Sequence, residues 1–541
     1  MSRRYAGRMS SDLATYPSLA GRRVFITGGA TGIGAALVAA FAAQGAVVGH
    51  VDLAADAAAA LADGLAAAPW FRALDVTDTP ALQAWLVQEQ ALFASQHPQS
   101  AQLQSRSNRH FLFGVPMHWM RDWPMPHGLF VQQAQGAELR CADGHVYADF
   151  CLGDTGAMFG HSPPAVAQAL TDQAAQGWTC MLPSQASADV GERLSQVFGL
   201  PQWQLALSAS DANRFVLRWV RAITARSVVL VFDGCYHGAV DDTLVDRLKD
   251  GRVVDRPSVL GQVHSHAHST RVVPFNDLPA LAAALADDQV AAVLAEPALT
   301  NCGLVLPDPG FWQQAQALCQ RHQTLLVLDE THTLSTACGG WAREHGLVPD
   351  VMVLGKAVAA GLPCAVYGFG DTVAQGMVNA KLLAPEGHSG IGTTLSANML
   401  TMAVLQASLQ HLHTPQTYAQ MLVGAERLAQ GLVEGFRRYG LPWSLTRLGA
   451  RMELQFMAAP PRNAQDVRAA DLNLLQPLLH LFMLNRGVVL TPFHCMMLVS
   501  PATSAQQIDQ LLDVFEQFLA TLAVQVRPPP PHRARNGAGL G

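Results

Sequence analysis

Two apolar segments that each run into one ionisable residue constrain the fold of this chain more than any other feature. Residues 324–328 are largely apolar and lead into Asp329, and residues 353–355 lead into Lys356, 27 positions further on. Short apolar runs of this kind indicate buried strands. Because open α/β sheets place functional side chains at the carboxyl ends of their strands, the two segments predict an α/β fold with Asp329 and Lys356 at one edge of its sheet.

A carboxylate and an amine delivered in this way suit one cofactor in particular. A lysine that loses its proton can form a Schiff base with an aldehyde, and an aspartate that stays ionised can keep a pyridine nitrogen protonated. Pyridoxal phosphate needs both groups, so Lys356 and Asp329 are candidate catalytic residues. Spacing alone also fits a structural ion pair or two unrelated surface residues, so the interpretation depends on further motifs.

A candidate phosphate site lies upstream. Residues 204–207 are predicted as a strand that runs into Ser208-Ala209-Ser210, and an amphipathic helix is predicted over residues 214–224. Ser208 or Ser210 would cap this helix, and the free amides of its first turn, with the helix dipole, would bind a phosphate. An ordinary capped helix is the alternative.

A candidate ring-binding loop follows the next predicted strand. Residues 228–232 are predicted to form a buried strand, and Tyr236-His237-Gly238 lies in the loop after it. An aromatic side chain at this place could stack on a flat cofactor ring, although a lone tyrosine is often only a packing residue.

In order, spacing and residue type, these motifs resemble the class III aminotransferases of pyridoxal-phosphate fold type I, near the glutamate-1-semialdehyde aminomutases. The resemblance runs from about residue 88 to about residue 523 and includes the matches 235–238, 294–297, 355–363 and 392–398. It implies a large mixed-sheet α/β/α domain with a smaller α+β domain, and a homodimer with a shared active site. It also implies cofactor contacts by Ser208, Ala209, Ser210, Tyr236, His237, Glu296, Asp329, Thr331, Lys356 and Thr394, the last reaching the phosphate of the neighbouring subunit.

Two positions depart from the family pattern. Ala209 stands where the family has a glycine, which reduces the conformational freedom of the phosphate loop. Thr331-His332 follows the Asp-Glu pair where relatives often carry an aliphatic residue against the ring. We therefore expect cofactor binding to persist with altered ring contacts.

The substrate is less closely constrained. Many aminotransferases that act on α-amino acids hold the α-carboxylate with an arginine near the C-terminus, but residues 491–497 contain none. We expect small amine and keto-acid substrates, with Arg121 and Arg451 as candidates for binding a carboxylate elsewhere. An aminomutase, which moves the amino group within one substrate, and a non-catalytic scaffold with the same fold are the alternatives.

A second motif lies near the N-terminus. Residues 23–34 and 46–52 are predicted as strand, glycine-rich turn, helix and strand, ending at Asp52, and with residues 74–78 they resemble the short-chain dehydrogenase/reductases. The Tyr-x-x-x-Lys pair of those enzymes is absent from the chain. Residues 18–84 are thus predicted to be a partial Rossmann βαβαβ unit, appended or decayed, and an NAD-dependent oxidoreductase is a further alternative.

Composition completes the prediction. A net charge of -6 and a pI near 6.4 argue against nucleic acid as a partner. No membrane span or signal peptide is apparent, and nine scattered cysteines favour a reducing, cytoplasmic location. The histidines of 264–268 are not expected to bind a metal. The predicted organisation is a flexible segment 1–17, the partial Rossmann unit 18–84, the aminotransferase part 85–525 and a disordered tail 526–541.

Overall fold

The computed structural model describes residues 16–27, 32–52, 57, 61–62, 65, 70–73, 79–470 and 474–525. The predicted flexible N-terminus, apart from residues 16 and 17, the glycine turn 28–31, residues 74–78 and the predicted tail 526–541 lie outside the described residues. The chain divides into two compact units, one formed by residues 1–85, 438–442 and 519–541 and the other by residues 86–437 and 443–518.

The strands of the described part, in chain order, are β1 (Arg23–Thr27), β2 (Val47–Asp52), β3 (Trp70–Ala73), β4 (Val131–Gln135), β5 (Glu138–Cys141), β6 (Val146–Asp149), β7 (Gln202–Ala206), β8 (Val228–Phe232), β9 (Val245–Arg247), β10 (Val253–Asp255), β11 (Thr270–Val273), β12 (Val290–Ala295), β13 (Leu325–Asp329), β14 (Val351–Leu354), β15 (Ala365–Phe369), β16 (Ser444–Leu448), β17 (Arg451–Gln455), β18 (Val488–Val489) and β19 (Met496–Leu498).

The α-helices of the same part are α1 (Gly32–Ala43), α2 (Thr79–Gln96), α3 (Pro98–Ser107), α4 (Pro164–Ala174), α5 (Ser187–Phe198), α6 (Ala209–Thr224), α7 (Leu278–Leu285), α8 (Phe311–Arg321), α9 (Gly340–Glu344), α10 (Asp371–Leu383), α11 (Met399–His411), α12 (Pro415–Tyr439), α13 (Ala464–Ala469), α14 (Leu475–Leu484) and α15 (Ala505–Gln525). Short 3-10 helices cover Pro17–Leu19, Leu112–Gly114, His118–Arg121, Asp241–Thr243, His266–His268, Thr333–Ser335 and Lys356–Ala359.

The N-terminal unit contains a small parallel sheet in which β2 lies between β1 and β3. This is the arrangement of the first three strands in a dinucleotide-binding fold. Ile26, Val38, Ala46 and Val48 form its buried core. Helix α2 runs without a break through residues 84 and 85, so the boundary predicted there falls inside a helix.

The larger unit is built on a seven-stranded sheet with the order β11-β8-β12-β13-β14-β15-β7. Only β15 runs against the other strands. Every residue of β12, β14 and β15 is buried, as continuous apolar strands covered on both faces require. The mixed α/β sheet agrees with the predicted fold class.

Smaller sheets of the same unit contain the order β18-β6-β5-β4, the antiparallel order β16-β17-β19 and the pair β9-β10. The parallel strands β7, β8, β12, β13 and β14 all end at the same edge of the large sheet. That edge therefore collects the residues that follow each of them, as the sequence predicted.

Within the described ranges, every helix falls short of the length and apolar character that a membrane crossing needs.

Candidate active site

Lys356 lies at the carboxyl end of β14, where its backbone adopts a left-handed conformation with φ of 46°. Its Nζ atom is 2.8 Å from Oδ2 of Asp154 and 2.7 Å from Nε2 of His332. About a third of the side chain, 32%, is exposed. The amine is therefore held from two sides and remains open to a small molecule.

The turn that carries Asp154 is strained. Leu152, Gly153, Asp154 and Thr155 all have positive φ, at 46°, 59°, 49° and 79°. Such backbone is unfavourable for residues other than glycine, above all for a β-branched threonine, and persists only where the surroundings enforce it. The Asp149 carboxylate enforces it by accepting hydrogen bonds from the amides of residues 151 and 152.

The consequence of this strain is a precise placement of two polar groups. The turn aims the Asp154 carboxylate at Lys356 and the Thr155 hydroxyl at His332, 3.0 Å from its Nδ1. The sequence prediction included neither residue. The one available signal is a polar pair between Gly153 and Gly156.

Asp329 is buried at the end of β13 with an exposure of 4%. Its Oδ2 accepts hydrogen bonds from Asn213 Nδ2 at 2.8 Å and from His237 Nδ1 at 3.1 Å, and its Oδ1 accepts one from the amide of Thr331. Burial opposes ionisation, but these partners hold the pKa of Asp329 below its usual value. Asp329 therefore stays a carboxylate, as its predicted role requires.

His237 is the positive partner of that carboxylate. Burial alone would lower its pKa, but the neighbouring Cys235 and Asp329 raise it. The predicted ring-binding loop thus contacts Asp329 through His237, whose side chain is fully buried.

Within the part of the chain that the structure describes, three buried polar atoms around Asp329 have no hydrogen-bonding partner: Asn213 Oδ1, His237 Nε2 and Thr331 Oγ1. Buried polar groups are normally paired, and leaving one unpaired costs about 1–3 kcal/mol. A bound group with its own polar ring substituents would supply the missing partners. The residues around Asp329 therefore fit a substituted pyridine ring.

The predicted phosphate loop forms the start of helix α6. Ser208 caps the helix, since its Oγ accepts a hydrogen bond from the amide of Asp211 at 3.2 Å. Ser210 Oγ accepts one from the amide of Ala239 at 3.0 Å and keeps its own proton free to donate. Among the described residues, the amides of Ala209 and Ser210 donate to no acceptor, which leaves them available to an anion.

The loop and the lysine strand lie close together. A Cβ atom added to Gly355 would be 2.8 Å from the Cβ of Ala209, so no larger residue fits at position 355. Ala209, which stands where the family has a glycine, fits because the residue that faces it, Gly355, has no side chain.

Glu296 and Tyr236 are joined to each other. Glu296 Oε1 accepts a hydrogen bond from the amide of Tyr236 at 3.2 Å, and Oε2 accepts one from the amide of Thr300 at 3.1 Å and one from its hydroxyl. Burial raises the pKa of Glu296. Glu296 positions the loop of Tyr236, whose residue is 45% exposed and can present its ring to a ligand.

Thr394 lies apart from these residues. It lines an exposed cavity of about 660 Å³ with Met181, Leu182 and Asn398, and no hydrogen bond joins it to the other predicted site residues in the described part of the chain. Its role toward a neighbouring subunit stays a prediction.

The two arginines proposed for a substrate carboxylate have other partners. Arg121 lies over the ring of Phe113 on the surface. Arg451 is 1% exposed and donates to Glu453, to the carbonyl of Thr300 and to His332 Nδ1. With Nε, both Nη2 protons and one Nη1 proton engaged, four of its five N–H groups are used. Arg451 therefore lacks the free fork that a bidentate carboxylate contact needs.

The three histidines at 264, 266 and 268 lie near a 3-10 helix, where His266 is 3.7 Å from Asp242. No group of three or more metal-ligating side chains is present among the residues that the structure describes.

Comparisons with known proteins identify two similarities. The family profile of class-III aminotransferases matches residues 120–519, and the profile of the short-chain dehydrogenases matches residues 22–94. A glutamate-1-semialdehyde 2,1-aminomutase of Brevibacillus brevis is 30% identical over 397 residues, which cover 72% of this chain and 91% of that protein.

Among solved structures, a glutamate-1-semialdehyde aminomutase of Pseudomonas aeruginosa is 43% identical with a TM-score of 0.80, over 83% of this chain and 99% of that chain. A lysine-to-alanine variant of the same protein was solved in complex with PMP. An omega-transaminase of Sphaerobacter thermophilus is 25% identical with a TM-score of 0.72, over 78% of this chain and 97% of that one. Both mutases and transaminases are therefore among its relatives.

Proposed function

Because the chain belongs to the class-III aminotransferase family and is therefore a pyridoxal-phosphate-dependent enzyme, we propose that it transfers an amino group from a small amine to a keto acid or aldehyde through Lys356. One observation carries this assignment. Lys356 and Asp329 end neighbouring parallel strands, and unpaired buried polar atoms surround Asp329.

The residues that would hold the cofactor follow from the site. Lys356 Nζ would bind its aldehyde covalently, Asp329 would meet its pyridine nitrogen, and the amides of Ala209 and Ser210 would bind its phosphate. Tyr236 would cover a face of the ring, and Thr331 Oγ1 would meet a ring substituent. When bound, the cofactor withdraws electrons from the carbon that carries the amino group.

The chain itself supplies the proton transfer. Lys356 Nζ would carry the proton: it would take it from the substrate carbon that bears the amino group and give it to the aldehyde carbon that the cofactor supplies. Asp154 and His332, at 2.8 and 2.7 Å, keep Nζ in place during this step. Asp329 stays ionised throughout, because its partners are fixed in the buried network.

The donor is proposed to lack an α-carboxylate. Residues 491–497 contain no arginine, and Arg451 is already engaged by protein groups. A buried carboxylate without a cationic partner is costly, and Asp154 already places one negative group beside Lys356.

A transaminase needs a second substrate that accepts the amino group, whereas an aminomutase needs none. The aminomutase is the alternative that the mutases among the relatives of this chain favour. We expect the full-length protein with pyridoxal phosphate to release more than one equivalent of carbonyl product per active site only when pyruvate, 2-oxoglutarate or an aldehyde is added to an amine. Chromatography of the products, with α-, β- and ω-amines as donors, measures this. Isomerised product without any acceptor would establish the mutase instead, and Lys356→Ala serves as the blank.

A homodimer is proposed to complete the site. Large apolar side chains are exposed on the segments near Thr394: Trp178 at 58%, Met181 at 78%, Leu182 at 70%, Leu383 at 87% and Leu395 at 53%. Isolated apolar residues are normal on a surface, but a cluster of this kind marks an interaction site. A second copy of the chain would cover it, with Thr394 directed at the partner's phosphate loop.

We expect Leu182→Glu to weaken this dimer by about 2 kcal/mol, or roughly thirtyfold in Kd, because it would bury an unpaired charge at the interface. Sedimentation velocity over a dilution series measures the change. Leu260→Glu is the matched control, since Leu260 is 93% exposed on a different segment. Equal Kd values for the two variants would place the dimer interface elsewhere.

Residues 18–84 are proposed to be an appended module. From residue 22 onward they fall within the short-chain dehydrogenase match, but the chain lacks the Tyr-x-x-x-Lys pair that would move a proton in hydride transfer. A substrate-dependent change in nicotinamide absorbance would favour the oxidoreductase alternative.

A further inference from the structure

A second cavity lies at the same edge of the large sheet as Lys356. It has a volume of about 280 Å³ and is lined by the segments that follow β8 and β12, by the β9–β10 hairpin with the residue after it, and by helix α13. In the sheet order β8-β12-β13-β14, only β13 separates β12 from the strand that leads to Lys356. Neighbouring strands are about 4.8 Å apart, so the end of β12 is roughly 10 Å from the end of β14.

This cavity shares a wall with the candidate active site. Tyr236, whose ring is proposed to cover the cofactor, is one of its lining residues. Asn301 is another, and its Nδ2 is 3.5 Å from Glu296 Oε2. The carbonyl of the preceding residue, Thr300, accepts a hydrogen bond from Arg451 at 2.8 Å. A substrate that extends from the reacting centre past Tyr236 would therefore enter the cavity.

Two arginines line the cavity, and an aspartate holds each of them on one side only. Arg256 donates from Nε to Asp246 Oδ1 at 3.0 Å and from Nη2 to the carbonyl of Cys235 at 3.4 Å. Arg468 donates from Nη2 to Asp233 Oδ2. A guanidinium has five N–H groups, and three of those on Arg256 and four of those on Arg468 donate to no described residue.

The residues that line the cavity carry an excess of positive charge. Arg256 and Arg468 are balanced there by Asp246 alone, since Asp233 is 2% exposed and is not a lining residue. Structural ion pairs would explain the two aspartate contacts, but they do not require both guanidinium groups to line one cavity with N–H groups unused. A carboxylate fits these groups, because it accepts hydrogen bonds from a guanidinium in a bidentate geometry.

We propose that Arg256 and Arg468 bind a substrate carboxylate that is remote from the reacting amine, so that the amino donor is an ω-amino acid. The inference rests on the proposed function and names the donor class of the same site. An α-carboxylate lies one carbon away from the reacting nitrogen and cannot reach the segments after β8 and β12, whereas a carboxylate at the far end of a short carbon chain can.

Binding can be measured without any reaction. Valerate has the shape of γ-aminobutyrate but no amine, and valeramide is its uncharged counterpart. Ligand-detected NMR titration of the full-length, cofactor-loaded protein should give valerate a Kd at least about tenfold lower than that of valeramide, because hydrogen bonds between charged groups are the stronger ones. Arg256→Gln and Arg468→Gln should each raise the Kd of valerate at least about tenfold. Arg462→Gln is the matched control, since Arg462 is 70% exposed and pairs with Asp308 outside the cavity.

Asp246→Asn separates a binding role from a structural one. It breaks the same ion pair as Arg256→Gln, but it keeps the guanidinium and removes the negative group from the cavity wall. If the pair only shapes the hairpin, the two variants should lose affinity for valerate alike. If Arg256 binds the carboxylate, Asp246→Asn should instead lower the Kd by about threefold.

Initial rates extend the test to the reaction. Each ω-amino acid from β-alanine to ε-aminocaproate is compared with the alkylamine of the same carbon chain. At the best chain length, kcat/KM should favour the ω-amino acid at least about tenfold, and Arg256→Gln should lower that ratio at least about tenfold, mainly through KM. Arg462→Gln should keep the wild-type ratio.

Equal affinity for valerate and valeramide would overturn the proposal, and so would a similar loss of valerate affinity in Arg256→Gln and Asp246→Asn. Thermal melts show whether each variant is folded. Should both arginine variants unfold, the comparison of Asp246→Asn with the wild-type protein still decides, because a higher Kd in Asp246→Asn contradicts the proposal. Failure of the proposed function is recognised separately, when no donor yields a carbonyl product although valerate still binds through the two arginines.

Discussion

Replacing Lys356 by alanine is expected to abolish amino-group transfer, with kcat falling by at least about 10⁴-fold. The substitution removes two functions at once. It removes the amine that binds the cofactor covalently, and it removes the group that moves the proton between the two carbons. Positioned general acid–base groups alone contribute about 10²- to 10⁴-fold, so the loss of both should leave almost no turnover.

The cofactor should still bind to this variant without a covalent bond. Asp329 and the amides of Ala209 and Ser210 are untouched, and they lie on neighbouring strands and on helix α6. Absorbance after gel filtration, with and without borohydride, measures retained cofactor, and initial rates measure turnover. This separates lost chemistry from lost binding.

Lys381→Ala is the matched control, since Lys381 is an exposed residue of helix α10. It should retain wild-type rates and wild-type borohydride fixation. A Lys356→Ala enzyme that keeps more than a tenth of the wild-type kcat would show that another group carries the proton.

The sheet edge that bears the site could be predicted from sequence, because local patterns determine it. A short apolar run followed by a polar residue indicates a strand and its end, and four such runs occur in this part of the chain. Asp329 and Lys356 therefore lie where spacing placed them. Their roles toward the cofactor remain predictions.

The network behind Lys356 could not be predicted in the same way. Asp154 and Thr155 reach the site only because a turn adopts positive φ at residues other than glycine, and composition does not report such strain. His332 departs from the family pattern, but its partner Arg451 is 119 positions away in the sequence. Contacts at that separation are set by strand pairing, which no local pattern specifies.

Arg451 is a further case, because its contacts in the structure argue against the substrate-binding role that the sequence suggests for it. The sequence makes it a candidate for a substrate carboxylate, and its side chain contacts His332, which in turn contacts Lys356. The signal against that role was in the sequence, since Arg451 and Glu453 are two positions apart and so share one face of β17. A buried strand with an arginine and a glutamate on one face favours an internal pair, which is what the structure contains.

Asp329→Asn is expected to lower kcat by about 10²- to 10³-fold, the usual loss when one preorganised electrostatic partner is removed from a buried site. The amide has nearly the same volume, so the strand and its packing should persist. What disappears is the charge that would keep the pyridine nitrogen protonated. Initial rates at saturating cofactor measure the effect, and retained cofactor absorbance excludes simple loss of binding.

The same substitution should also destabilise the fold, because it leaves His237 buried without its anion. Breaking a buried pair costs about 3–5 kcal/mol, and the retained amide should soften this cost. The pKa of Asp329 is depressed in the fold, so its contribution is present above the unfolded pKa near 3.8 and is lost as pH falls through the folded value. The deficit of Asp329→Asn should therefore be full at pH 7 and should shrink in acid.

Thermal melts from pH 7 downward measure this deficit, and Asp350→Asn supplies the control. Asp350 lies at the opposite end of β14, where its carboxylate accepts a hydrogen bond from the amide of Leu326 at 2.8 Å. Asp350→Asn should lower the free energy of unfolding without changing kcat, because Asp350 contacts none of the site residues. If Asp329→Asn keeps kcat within about threefold of wild type while Asp350→Asn behaves as expected, Asp329 has no electronic role, and its burial beside His237 is structural alone.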